Sequence, residues 1–155
     1  ALNEKNVADR ISKLQKINAP GENAKAIVAM LLSAEATGNE SATFEMSTLS
    51  DVTERLSIDA HYRDLLNFKI LLGSSEIMDL DERTKAFKGL SKPGNPFRLL
   101  AEEQMALIEL ELGNADNAIE KISQILLDSE LTSGLRNRAT QMLIALGKDP
   151  ELTNK

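Results

Sequence analysis

The sequence predicts an all-α protein, a short right-handed solenoid of antiparallel helix pairs closed by a C-terminal capping helix. Three observations predict it. Apolar residues recur at helical spacing, and β-branched or aromatic residues never gather in alternating runs. Aromatic residues are only 3% of the chain and Trp is absent, so the core must be built from Leu, Ile, Ala and Met. Glycines close the apolar stretches at Gly38, Gly73, Gly113 and Gly147, spaced 35, 40 and 34 residues apart, and a second amphipathic stretch follows each of the first three.

The elements follow in order. Leu2–Lys16 reads as a first helix, with Val7, Ile11 and Leu14 on one face, and "NAPGE" at 18–22 breaks it. Residues 23–37 form a strongly apolar helix ending at Gly38, and Ser41–Leu56 a more polar one carried by Phe44, Leu49, Val52 and Leu56. Asp59 caps a helix through "AHYRDLLNFKILL" that ends at Gly73. After the loop "SSEIMDL", Asp79 and Glu82 have capping-box spacing for a short helix to Leu90. In "SKPGNPF" at 91–97, Asn95 caps and Pro96 takes the first helical position of a helix running to Leu112. Ala115–Asp128 is the next helix, and Thr132 or Ser133 caps the last, which ends at Gly147. The organisation is thus an N-terminal helix and turn at 1–20, a repeat domain at 21–148 and a tail at 149–155.

Composition excludes several kinds of work. A net charge of −6 opposes a nucleic-acid surface, which gathers Lys and Arg on one face to displace counterions. There is no Cys, which removes disulfides, thiolate metal sites and thiol nucleophiles. No stretch reaches the ~18 apolar residues of a membrane span, and no signal peptide is visible. The start at Ala1 leaves an upstream anchor or signal open.

The spacing of the glycines is that of tetratricopeptide-type repeats, paired helices with a period near ~34 residues. The stretch "LELGNADNAIEKI" (110–122) fits in detail: Gly113 ends one helix, small Ala118 comes five residues later where two helices touch, and Ile122 takes the large apolar position beyond it. A left-handed glycine suits such a helix end, and a bulkier side chain is expected to crowd the turn. The helix from Phe97 carries one stripe of Phe97, Ala101, Met105, Ile108 and Leu112, and a broader one of Leu99, Leu100, Ala106, Leu107 and Leu110 interrupted by Glu103. Arg98, Glu102 and Glu109 line the strip between them. A helix with two apolar faces packs against two neighbours, as inside a solenoid.

Together "YRDLLNFKILL" (62–72), "PGNPFRLLAEEQMALIELELGNADNAIEKISQILLD" (93–128) and "SGLRNRATQMLIAL" (133–146) resemble the tetratricopeptide-like domain of the bacterial ancillary SecYEG translocon subunit (YfgM-like) family. The resemblance covers roughly 22–147 and is most specific at 94–98, where Phe97 stands in place of the usual Trp. It implies a periplasmic repeat domain of a membrane-anchored inner-membrane protein, a scaffold for translocon subunits or periplasmic chaperones, with no catalysis and no cofactor. An alternative is a tetratricopeptide-like adaptor for other cell-envelope or division proteins, or a self-associating one.

The residues offer little chemistry. His61 is the only histidine and lacks partners for a zinc site or a triad, so it reads as structural. Glu102, Glu103, Glu109 and Glu111, with Asp79, Asp81 and Glu82, read as solvated helix faces, because neighbours on one helix cannot flank a substrate as two opposed carboxylates do. "GKDP" (147–150) is a helix stop, the sequon "NES" (39–41) a turn, and the Met residues core filling. What remains is surface recognition. Counting back from the glycines puts Arg63, Asn67, Glu103, Leu107, Asn137 and Gln141 on the concave face, where a stack of this kind holds peptides or proteins.

Overall fold

The computed structural model describes residues 3–36, 42–55, 57–74 and 78–149, and within them every regular element is a helix. They are α1 (Val7–Gln15), α2 (Glu22–Ala36), α3 (Ala42–Arg55), α4 (Ala60–Gly73), α5 (Leu80–Leu90), α6 (Arg98–Glu111), α7 (Ala115–Leu126) and α8 (Ser133–Ala145). The all-α expectation therefore holds for the described residues. Gly38, the sequon at 39–41, Leu56 and the tail from 150 lie outside them. The chain divides into two compact units, Ala1–Ile77 and Met78–Lys155.

In the first unit α2 packs against α1, α3 and α4. Its core joins Ala26, Ala29 and Met30 of α2 to Leu49 of α3, Ile58, and Leu66 of α4. The first helix starts later than its apolar spacing suggests. Asn6 accepts the Ala8 N–H through its side chain and so fixes the N-terminus of α1, while the Glu4 and Lys5 carbonyls turn aside to accept from Arg10 Nη1. Arg10 also donates from Nε to Glu35 at 2.7 Å, tying α1 to α2. Asp59 sits at the N-cap of α4 without capping through its side chain. Its carboxylate instead accepts from Asn23 Nδ2 at 2.7 Å, and its N–H donates to Asn23 Oδ1 at 3.0 Å, so the starts of α2 and α4 are clasped together. His61 is exposed, its ring 4.8 Å from that of Tyr62.

In the second unit each helix packs on the next: α5 on α6, α6 on α7, α7 on α8. The core brings Leu99 and Ala106 of α6 together with Ile122, Ile125 and Leu126 of α7 and Leu135, Ala139 and Leu143 of α8. Helix α6 buries Leu99, Ala101, Ala106 and Ile108 around much of its circumference, as two neighbours require. Leu112, counted in its first stripe, is 53% exposed because it lies past the last turn as the C-cap. On the α5 side the buried Arg83 is paired with Glu111 of α6. The start of α6 differs from expectation by two residues: Asn95 does not cap the helix, its Oδ1 instead accepting the Phe97 N–H to build a turn through Pro96 and Phe97, so that Phe97 is the N-cap and the helix opens at Arg98. Thr132 caps α8 by accepting from the Leu135 N–H.

Two helix ends match in detail. Past α6, Gly113 donates to the Leu110 carbonyl and Asn114 to the Glu109 carbonyl; past α8, Gly147 donates to Ile144 and Lys148 to Leu143. Both glycines are left-handed, with φ of 78° and 73°. These are paired Schellman-type closures. Gly73 differs, being the last residue of α4 with Ser74 as its cap and no positive φ. The crowding expected at the glycines is also absent: a Cβ built on Gly113 or Gly147 meets nothing within 4 Å. Backbone conformation alone selects glycine there. Gly113→Ala is expected to cost about 1–2 kcal/mol, the penalty of a left-handed alanine, and Gly113→Asn distinctly less. Urea unfolding of the two variants checks this, and equal costs would contradict it.

Candidate interaction groove

An open groove of about 430 Å3 runs between α6 and α8, lined by Glu103, Gln104 and Leu107 on one wall and Arg138, Gln141, Met142 and Ala145 on the other. The walls face each other because α6 and α8 both pack on α7 and share one core, Ala139 and Leu143 pointing into it from α8. The next turn positions on each helix then border the cleft.

The groove is organised by one ion pair. Arg138 donates from Nε to Glu103 Oε1 and from Nη2 to Glu103 Oε2, both at 2.7 Å. Two parallel charge-assisted bonds fix the plane of the guanidinium. Burial is unequal, the Glu103 side chain being 9% exposed and that of Arg138 50%. The hydrogen bond to Glu103 raises the Arg138 pKa above its ordinary value, against the opposing effect of burial. The expectation that Glu103 belongs to a solvated face is thereby corrected. It is buried and held in place by a cation on the next helix but one.

Of the six residues chosen by repeat register, Glu103, Leu107 and Gln141 are brought into this groove. Asn137 is exposed on α8 outside its lining. Arg63 is exposed and Asn67 half-buried, both on α4 of the first unit. Arg138 was missed, though a signal for it existed. A lone carboxylate inside an apolar stripe needs a buried or bidentate partner, and the cation stands 35 residues on, in α8.

A second cluster locks the α7–α8 turn. Arg98 Nη2 donates to both oxygens of Asp128 at 2.9 Å and to Glu130 at 2.8 Å. Its pKa is raised by these contacts, Glu130 first and then Asp128. Asp128 also accepts the Glu130 N–H, and this bond, followed by Arg98, holds its carboxyl below the ordinary value of 3.8. A depressed carboxyl stabilises the fold above its unfolded pKa, and that contribution is lost as pH falls through the folded one. Asp128→Asn is therefore expected to flatten the acid limb of a thermal stability profile below about pH 4. An unchanged acid limb would show that the carboxylate is not what the turn loses in acid.

At the α6–α7 turn Glu109 accepts from the amides of Asn114 and Asn117, in that order the causes of its lowered pKa. The described residues include no group of three His, Cys, Asp or Glu side chains placed to hold a metal ion, and no helix long and apolar enough to cross a membrane. No family model, curated protein or solved structure matches the chain.

Proposed function

We propose that the chain is a non-enzymatic protein-interaction scaffold whose helix pairs follow the tetratricopeptide-like solenoid pattern, with α8 as its capping helix and the α6–α8 groove as its binding face. The observation that carries this reading is the groove itself. Three residues selected by repeat register alone border one open cleft between α6 and α8, the two helices that the repeat reading makes equivalent. The matched closures at Gly113 and Gly147, 34 residues apart, support the same register. The resemblance to the translocon-subunit family supports a setting on the periplasmic side of the bacterial inner membrane, with translocon subunits or envelope chaperones as partners. Binding there draws on shape and hydrogen-bond complementarity, with most of the energy in a few groove residues.

The test is affinity capture from detergent-solubilised bacterial envelopes, read by mass spectrometry, with Leu107→Asp as the groove variant and Arg63→Ala/Asn67→Ala as the α4 variant. Translocon subunits or chaperones recovered by the native chain and lost with Leu107→Asp support partner and face together. Recovery that survives Leu107→Asp but not the α4 variant moves the face to α4. Enrichment of neither class sinks the secretion role. A self-associating envelope or division adaptor is the second reading, favoured by Leu112, Leu127 and Ile144, which are 53%, 64% and 59% exposed. Sedimentation equilibrium separates it, since a scaffold of the first kind stays monomeric without its partner.

A further inference from the structure

We infer that the α6–α8 groove takes an extended peptide bearing an acidic and an aliphatic side chain two residues apart, the carboxylate on Arg138 and the aliphatic group against Leu107 and Met142. This rests on the interaction reading above and names the chemistry of its ligand.

Arginine carries five N–H donors in a rigid fork. Glu103 takes one from Nε and one from Nη2. The outer edge of the guanidinium keeps its donors and belongs to a side chain that is half exposed on the groove wall. Glu103 is covered and both its oxygens are engaged, so a ligand meets the cation rather than the anion. Charge on the same wall agrees: its α8 residues include Arg138 and no carboxylate. On α6 the neighbouring Glu102 borders a different cleft, with Ser91 and Lys121. An acidic group is thus the complement of this wall.

Spacing fixes the rest. From Arg138 to Met142 is four residues of helix, roughly 6 Å at 1.5 Å per residue. Two residues of extended peptide span roughly 6.6 Å and return to the same side of the strand. A peptide lying along α8 therefore sets its acidic and aliphatic side chains at Arg138 and Met142 when they are two positions apart. Between them, the amides of Gln104 and Gln141 supply both donors and acceptors to the peptide backbone. Glu103 is a positioning residue in this scheme, holding the guanidinium plane so that its free edge faces the cleft.

The experiment is an NMR titration of the full chain with end-blocked octapeptides in a Gly-Ser background. The probes carry Glu and Leu at spacings of one, two or three, with Gln for Glu, Lys for Glu and Ser for Leu as controls. The expected result is shifts centred on Arg138, Gln141, Met142 and Leu107, strongest for spacing two. Affinity is expected to fall about tenfold with Gln for Glu, and to weaken at high salt as a half-exposed ion pair should. Because Arg138 substitutions disturb the buried Glu103, the decisive variants are on exposed Gln141. Gln141→Glu, one turn from Arg138, should abolish binding by repelling the ligand and occupying the same N–H edge, and Gln141→Lys should strengthen it. Glu103→Gln should keep binding but lose the preference for spacing two. Absence of shifts with every probe, or binding indifferent to Glu-for-Gln exchange or to Gln141→Glu, overturns the inference. If envelope capture still depends on Leu107 in that case, the scaffold reading stands and only the ligand chemistry falls.

Discussion

Ile122→Ala is expected to destabilise the Met78–Lys155 unit by about 2–4 kcal/mol, the range for deleting a fully buried aliphatic side chain. Ile122 is 1% exposed and meets residues of three helices in one core: Leu99 and Ala106 from α6, Ile125 from its own helix, and Leu135, Ala139 and Leu143 from α8. Two of those neighbours, Ala106 and Ala139, are alanines. A methyl group cannot rotate into the void, so on those sides the cavity persists. Ile122→Val removes one methylene and should cost about 1 kcal/mol. Urea unfolding followed by circular dichroism measures both. Leu66→Ala, fully buried in the core of the other unit, is the companion variant. If the two units unfold in separate transitions, each substitution should move its own. A loss under about 1 kcal/mol for Ile122→Ala would mean that α7 is not the element holding α6 and α8 together.

Arg138→Ala is expected to cost about 2 kcal/mol although half of the side chain faces solvent. Removing one partner of a fully buried ion pair costs about 3–5 kcal/mol, because the other charge is left in an apolar setting. The exposed side of Arg138 brings that figure down, since water already screens part of the interaction. Most of the loss comes from Glu103, buried and deprived of both of its hydrogen bonds. The double variant Glu103→Gln/Arg138→Ala should therefore be more stable than Arg138→Ala alone. A double-mutant cycle reads this directly. Additive losses would show that the pair contributes packing rather than charge compensation.

How far the sequence reaches can be judged from single residues. Ala118 and Ile122, placed by repeat register, are 0% and 1% exposed, so the interior of the α6–α7 pair was legible. Gly113 and Gly147 were legible as helix ends, and of the two reasons expected for them only the left-handed backbone holds, since open space surrounds them. Asn95 and Asn6 were less legible, because an Asn side chain can satisfy a turn or a helix start, and spacing does not say which. Of the groove, one wall position on α6 and its companions at Leu107 and Gln141 could be counted from the glycines. Arg138 could not be reached that way, since it stands one residue beyond the position equivalent to Glu103. Long side chains reach sideways to neighbouring helices, and register arithmetic describes only where Cα atoms lie.

The order of packing has a kinetic consequence. In the second unit every main pairing joins helices adjacent in the chain, and in the first the α2–α4 pairing skips a single helix. The longest-range hydrogen bonds described, those between Asn23 and Asp59, close 36 residues. Loop closure is therefore inexpensive throughout, and a contact map this local belongs to chains that fold in microseconds to milliseconds. Stopped-flow refolding should be nearly complete within its dead time. The same locality means that α8 can detach without disrupting α5 against α6, so within this unit amide exchange should be faster in α8 than in α6 or α7, and α8 is the helix that forms one wall of the groove.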